Sequence, residues 1–334
     1  MTTAADAASA KLWPFRGVCL GVPAPQDWDV CRQLITDVLP AHGCNALVLL
    51  IRYQYAFPHH PAVADAPALT RAQAAEIAGW CRAAGLRLIP KMNLLGHQSG
   101  KTRETNLGLL RAHPELDETP DRAEVRYCRS LCPRHPDAAR LVGELADDLL
   151  DAFGADALHV GLDEVFEIGY CPRCRGTPTA TLFADWVNAL HAHLVGRRGV
   201  ELFMWADRLL DGDKLNHEWE ASRNMTWPAI DLVPRDIVMC DWHYGESAAY
   251  PSVRTFIDRG FRTIICPWKD APATAAFLRF AQATRNEWLL GVMQTTWCNP
   301  GPLARYLVCG DTGPLQTPRL VGESFKLAFP RAAK

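Results

Sequence analysis

Eight short apolar, β-branched runs are spaced along this 334-residue chain, with an amphipathic stretch between each and the next. That alternation narrows the fold more than any other feature. The runs fall at residues 15–22, 46–52, 86–93, 157–164, 201–207, 236–244, 262–268 and 291–297. Strands separated by helical stretches form parallel sheets, because a parallel return needs a crossover long enough to hold a helix. Eight such units predict an α/β fold, a single (β/α)8 TIM barrel, for which ~250 residues is typical. A doubly wound open sheet is the alternative. The helical stretches carry their own signals. Val30, Leu34 and Val38 recur at i+4 in the first, which begins near Asp27 and stops around Pro40. Thr70 and Gln73 have capping-box spacing ahead of Ile77 and Cys81, and Gly85 sits where the helix should stop. Leu141, Leu145 and Leu149 line a helix ending at Gly154, and Leu182, Trp186, Leu190 and Leu194 line the next, ending near Gly196.

No linker, low-complexity tract or internal repeat interrupts the pattern, so one domain is expected over residues 13–334, with a short C-terminal tail. Residues 1–12 are rich in Ala and Thr and lack the basic and apolar regions of a signal peptide, and read as a disordered lead-in. A formal charge of -2 gives no electrostatic case for binding nucleic acid or an anionic membrane. No apolar run approaches the ~20 residues of a membrane span. Twelve cysteines without an export signal point to free thiols in a reducing cytoplasm. A C2 homodimer is the base-rate expectation for assembly.

In a barrel the chemistry should lie at the C-terminal ends of the strands. The fourth run, Leu158-His159-Val160-Gly161-Leu162-Asp163-Glu164, alternates apolar and polar residues and ends in two adjacent carboxylates. Two neighbouring acids repel each other and are expensive to bury without purpose. One kind of enzyme needs them: a carboxyl kept protonated as an acid beside one kept charged. His97 follows the third strand, Trp205 and Asp207 the fifth, Asp241, Trp242 and Tyr244 the sixth, Trp268 and Asp270 the seventh, and Trp297 the eighth. Aromatic faces among carboxylates suit sugars, whose axial C–H groups stack on rings while their hydroxyls bond to polar groups. Two long connections, residues 94–136 and 209–235, are expected as pocket walls.

His159-x-Gly161-x-Asp163-Glu164 resembles the His-x-Gly-x-Asp-Glu signature of family 20 glycoside hydrolases, the β-N-acetylhexosaminidases. In the same order, Phe15-Arg16-Gly17 resembles the family's opening Arg-Gly strand, Gly96-His97 its Gly-His turn, and Trp205, Pro267-Trp268 and Trp297 its later tryptophans. The resemblance implies a retaining enzyme that removes terminal β-linked N-acetylhexosamine, with the substrate's own 2-acetamido group as nucleophile and no cofactor for catalysis. Glu164 would then be the acid and base, and Asp163 would orient the acetamido group. Arg16, His97, His159, Trp205, Trp242, Tyr244, Trp268 and Trp297 would bind substrate or support the acids.

Four positions depart from the family pattern: Gly21 replaces an Asp, Arg52-Tyr53-Gln54 a sugar-contacting Asp, Lys269 a Tyr, and Asn299 a Glu. Tyr244 and Tyr53 are candidates to stand in for the lost Tyr. A glycosidase for a modified or different amino sugar, with Lys269 and Arg52 facing an acidic group, is one alternative, and a non-catalytic sugar-binding barrel another. A metal-dependent hydrolase is disfavoured, since the strand ends lack a His-x-His and carboxylate set. Cys171-Pro172-Arg173-Cys174-Arg175-Gly176 has the form of a zinc knuckle. With Cys128 and Cys132 as the remaining ligands it would make a structural zinc site. Four free thiols are the alternative.

Overall fold

The computed structural model describes residues 13–311 and 313–331, so the lead-in assigned to residues 1–12 lies outside the described residues. All eight expected strands form: β1 (Phe15–Gly21), β2 (Ala46–Leu50), β3 (Arg87–Lys91), β4 (Ala157–His159), β5 (Glu201–Trp205), β6 (Val238–Trp242), β7 (Arg262–Cys266) and β8 (Leu289–Thr295). They close a barrel in the order β1 through β8, which is the expected (β/α)8 TIM barrel and excludes the open sheet. No helix among the described residues is long and apolar enough to cross a membrane.

Two compact units make up the chain. In the first, residues 1–50, 72–89 and 239–334, β1 pairs in parallel with β2 and β8, and β8 with β7. Val18, Cys19 and Leu20 of β1 are buried, as are Leu47, Val48 and Leu49 of β2. The β7–β8 register shifts between Thr263 and Ile264, opposite Gly291. Gly291 has φ 151, and a Cβ there would stand 1.9 Å from the Phe15 carbonyl oxygen, so the irregular pairing requires glycine. The C-terminal tail is largely a helix, Gln316–Ala328, whose Val321 and Phe325 are buried.

In the second unit, residues 51–71 and 90–238, β4 pairs with β3 at Lys91↔His159 and with β5 along its length. The helix Ala138–Phe153 buries Leu141, Leu145 and Leu149 and ends at Gly154 in a left-handed turn with φ 57, as the sequence implies. Burying each of these leucines contributes about 1.5–3 kcal/mol. The helix Thr179–His191 continues as a wider π-helical turn, Ala192–Arg197, that buries Leu194, so the helical stretch ends near Gly196 as the sequence implies. The long connection after β3 is organised by Arg129, whose fully buried guanidinium donates to Asp117 at 2.6 Å and to the carbonyls of Thr119, Arg122 and Ala123. That arrangement satisfies the loop's buried carbonyls, which an apolar side chain could not do.

Candidate active site

The acid pair sits just past β4. The strand was expected to run to Glu164, but it ends at His159. Ladder contacts continue only as far as Gly161, whose carbonyl accepts from the Trp205 N–H at 2.9 Å. Gly161 and Leu162 both have φ 73, and Glu164 has φ 51. A Cβ on Gly161 would stand 2.6 Å from Asn93 Oδ1, so the chain can pass Asn93 only as glycine. Left-handed backbone at non-glycine residues costs roughly 1–3 kcal/mol each and is held by surrounding contacts. Here the holding contacts are identifiable. The Gly161 N–H donates to His159 Nδ1 at 3.1 Å, and the Glu164 N–H donates to Asp207 Oδ2 at 2.9 Å.

His97, itself left-handed at φ 57, reaches both acids. Its Nε2 lies 3.1 Å from Asp163 Oδ2 and 3.2 Å from Glu164 Oε2. Burial alone would lower the His97 pKa. The Asp163 charge and side-chain hydrogen bonds with Asp163, Cys128 and Glu164 outweigh it and raise the pKa well above the usual histidine value. Burial would likewise raise the Asp163 carboxyl, but the charges of His97 and Lys91 and the His97 hydrogen bond hold it well below the usual carboxylate range. Asn93 Nδ2 donates to Asp163 Oδ1 at 3.0 Å, and Lys91 Nζ donates to Asn93 Oδ1 at 2.7 Å. Asp163 is therefore an anion fixed from two sides. Its side chain and that of Glu164 keep 13% and 15% of their area exposed, enough for a ligand to touch both.

The electrostatics fix a pH signature. His97 contributes stability that is full below the ordinary histidine value of 6.5 and is lost as pH rises through its raised pKa. Asp163 contributes stability that is full above 3.8 and is lost as pH falls through its lowered pKa. We expect the melting-temperature gap between wild type and His97→Gln to be widest between about pH 4 and 6.5 and to narrow steadily at alkaline pH. A gap that stays constant from about pH 5 to 10 would remove the ion pair from the account.

Asp207 follows β5 and carries no motif. It is 2% exposed, and burial, opposed by Arg208 and reinforced by the charges of Asp163 and Glu164, pushes its carboxyl up to about 6. Arg208 Nε donates to the same oxygen that holds the Glu164 N–H, at 2.7 Å. The pair thus sets the backbone of Glu164. Lys91 and Asn93, also unassigned from sequence, left a signal: two polar residues at period 2 where an apolar strand ends.

A wall beside His97 comes from the two long connections, as expected, though from residues no motif marked. Tyr127 makes edge contacts with His97 at 5.6 Å and Trp219 at 5.1 Å, and Phe166 meets Trp219 at 5.1 Å. Arg126 lies 4.6 Å over the Phe166 ring. Burial, then the Glu164 charge, raises the Tyr127 pKa.

Four residues expected to line or support the pocket are used otherwise or held deeper. Arg16 was expected to bond sugar hydroxyls, but it lies at the start of β1, and its guanidinium donates to the carbonyls of Gly43 (2.5 Å) and Trp13. It ties down the N-terminal ends of β1 and β2. Trp205, expected in the pocket wall, is 1% exposed and packs on His159 with centroids 4.5 Å apart. His159 is fully buried; burial and the Lys91 charge lower its pKa far below the usual value, so it is a neutral acceptor beneath the Gly161 turn. Tyr53 is also buried, donating to Gln98 Oε1, and cannot replace the lost Tyr.

The other expected aromatics gather in the first unit. Tyr244 lies 4.9 Å from Trp242 and 5.3 Å from Trp268, and Trp297 Nε1 donates to its hydroxyl at 2.5 Å. Tyr244, Trp268 and Trp297 are half-buried and offer ring faces. Lys269 Nζ sits 4.1 Å over Trp268. Asn299 is occupied otherwise: its Oδ1 accepts from the Gly301 N–H at 3.0 Å and caps the helix Pro300–Cys309.

The cysteines group differently from the expected set. Cys132, Cys171 and Cys174 come together, but the fourth member is Glu118. Cys128 is not in that group and lies beside His97. It lies four residues before Cys132, and Arg129, bound to Asp117, holds the intervening chain so that the two thiols serve different sites.

A (β/α)8 barrel whose fourth strand leads into an ionised carboxylate and a second acid at its elbow can do acid–base chemistry at the C-terminal face of the strands. The family described as glycosyl hydrolase family 20, catalytic domain, matches residues 54–293. The chain belongs to that family, whose members need no cofactor for catalysis. None of the curated proteins compared matches it. Among solved structures it resembles the Flavobacterium johnsoniae chitobiase (18% identity, TM-score 0.66, 95% of this chain and 52% of that one). It also resembles β-N-acetylhexosaminidases from Bacteroides fragilis (13%, TM-score 0.66, 96% and 67%) and Streptomyces coelicolor (16%, TM-score 0.62, 94% and 64%). The chain thus spans about half the length of the chitobiase, and at these identities the likeness is one of fold.

Proposed function

We propose that this protein is a retaining exo-β-N-acetylhexosaminidase acting by substrate assistance. The observation that carries the reading is the acid pair, with Asp163 held ionised by His97 and Asn93 while Glu164 stands beside it on a backbone fixed by Asp207. In the first step the Glu164 carboxyl gives its proton to the glycosidic oxygen as the C1–O bond breaks, and the acetamido carbonyl oxygen closes on C1. Asp163 accepts the acetamido N–H and offsets the positive charge of the resulting oxazolinium ion. In the second step water attacks C1, the ring opens, and the Glu164 carboxylate takes the water's proton. Tyr127 and Trp219, from the connections that flank the acids, supply ring faces for sugar stacking.

Lys269 and Arg52, which stand where the family pattern has Tyr and Asp, favour a second reading, in which the amino sugar carries an acidic substituent. Twelve cysteines support a reducing, cytoplasmic setting, and the partner is a glycan ending in N-acetylhexosamine, acted on by a homodimer. The test is hydrolysis of aryl β-N-acetylglucosaminide, its galacto isomer, its 6-phosphate and plain β-glucoside. Cleavage of an N-acetyl sugar at least 100-fold faster than the glucoside supports the proposal. Preference for the phosphate selects the second reading, and preference for the glucoside refutes both.

A further inference from the structure

We propose that Glu118, Cys132, Cys171 and Cys174 form a buried structural zinc site that pins the connection after β3 to the connection after β4. The four ligand atoms lie within 4.8 Å of one another. Cys132 Sγ is 3.3 Å from Cys171 Sγ and 3.6 Å from Cys174 Sγ. Ligands at the corners of a tetrahedron with Zn–S bonds of about 2.3 Å stand about 3.8 Å apart, so an ion fits with shifts of a few tenths of an ångström. All four side chains are buried, none more than 2% exposed.

The carboxylate supplies the independent signal. Glu118 Oε1 accepts the N–H groups of Gly169 at 2.7 Å and Tyr170 at 2.9 Å. Oε2 is equally buried and has no hydrogen-bond partner of ordinary geometry. A fully buried carboxylate with one oxygen unsatisfied is costly, and a cation bound beside three sulfurs removes that cost. The Cys171–Gly176 turn has the matching form. Cys171's carbonyl accepts from the N–H groups of Cys174 (3.0 Å) and Arg175 (2.9 Å), and Gly176 closes the turn at φ 82. Both sulfurs of the turn therefore serve one point.

Three sulfurs and one oxygen select a soft four-coordinate ion; calcium and magnesium require oxygen ligands. Binding forms three Zn–S bonds and one Zn–O bond and releases the thiol protons to solvent, with no change of oxidation state. The ion would fix Phe166, five residues before Cys171, and Tyr127, five residues before Cys132 on the facing connection, whose rings meet at 6.2 Å. The site itself takes no part in sugar chemistry.

The test is elemental analysis of protein purified without chelator, followed by cobalt titration of the chelator-dialysed protein. We expect about one zinc per chain, and thiolate-to-cobalt charge-transfer bands with the visible bands of tetrahedral cobalt on titration. Cys174→Ser and Glu118→Gln should weaken cobalt binding at least tenfold, whereas Cys128→Ser should leave metal content unchanged. Folded wild-type protein that contains no zinc and takes up cobalt without thiolate bands overturns the proposal. So does loss of metal in Cys128→Ser equal to that in Cys174→Ser. If a ligand variant fails to fold, the wild-type titration alone decides.

Discussion

Glu164→Gln is expected to cut hydrolysis of an alkyl β-N-acetylhexosaminide by about 10²–10⁴-fold, the usual contribution of a positioned general acid. The size of the loss should depend on the leaving group. An alkoxide needs the proton that glutamine cannot give, so the first step fails. A dinitrophenolate leaves unaided, so the first step survives and the slower, base-assisted hydrolysis of the oxazolinium becomes limiting. Burst kinetics with the activated substrate, and none with the alkyl one, is the pattern expected of an acid. Glutamine keeps the volume, and the Glu164 N–H bond to Asp207 is made by the backbone, so the elbow should survive the change. An equal loss on both substrates would take the acid's role away from Glu164.

Asp163→Asn tests the other half. Asparagine is isosteric, but the anion that would balance the oxazolinium charge is gone. We expect a loss of about 10²–10³-fold in kcat, comparable to removing one preorganised stabilising group from a transition state. A thiazoline that mimics the intermediate should bind at least tenfold more weakly, because its positive character no longer meets a negative partner. His97 loses its main charge partner as well, so its pKa should fall, readable by NMR titration. A variant with unchanged thiazoline affinity would mean that Asp163 serves only to hold His97.

The barrel was legible because its strands are short, apolar and β-branched and its helices carry clean i+4 stripes, as in Leu141, Leu145 and Leu149. The fine geometry of β4 was not. Leu158, Val160 and Leu162 keep strand parity past the real end of the strand, while the backbone has already turned left-handed at Gly161. Periodicity records which residues are apolar, and cannot register a change of φ. Arg16 shows a related limit: its place in the chain matches a family motif, yet its position along β1 puts the guanidinium against Gly43. Tyr127 and Trp219 lie in connections with no period at all, and only folding brings them beside His97. The cysteine spacing implied four sulfurs, but the carboxylate of Glu118 stands in the fourth place while Cys128 lies outside the group.

The central claim is that the substrate, not an enzyme carboxylate, attacks C1. It is tested most directly with aryl β-hexosaminides bearing N-acetyl, N-fluoroacetyl, N-difluoroacetyl and N-trifluoroacetyl groups on the same leaving group. Each fluorine draws electrons from the amide carbonyl and weakens it as a nucleophile while changing its size little. The account predicts a steep, monotonic fall in kcat/KM along the series, of about tenfold or more per step, since about 1.4 kcal/mol added to the activation barrier is a factor of ten. A flat series would mean that a side chain of the enzyme makes the bond to C1, and substrate assistance would be wrong.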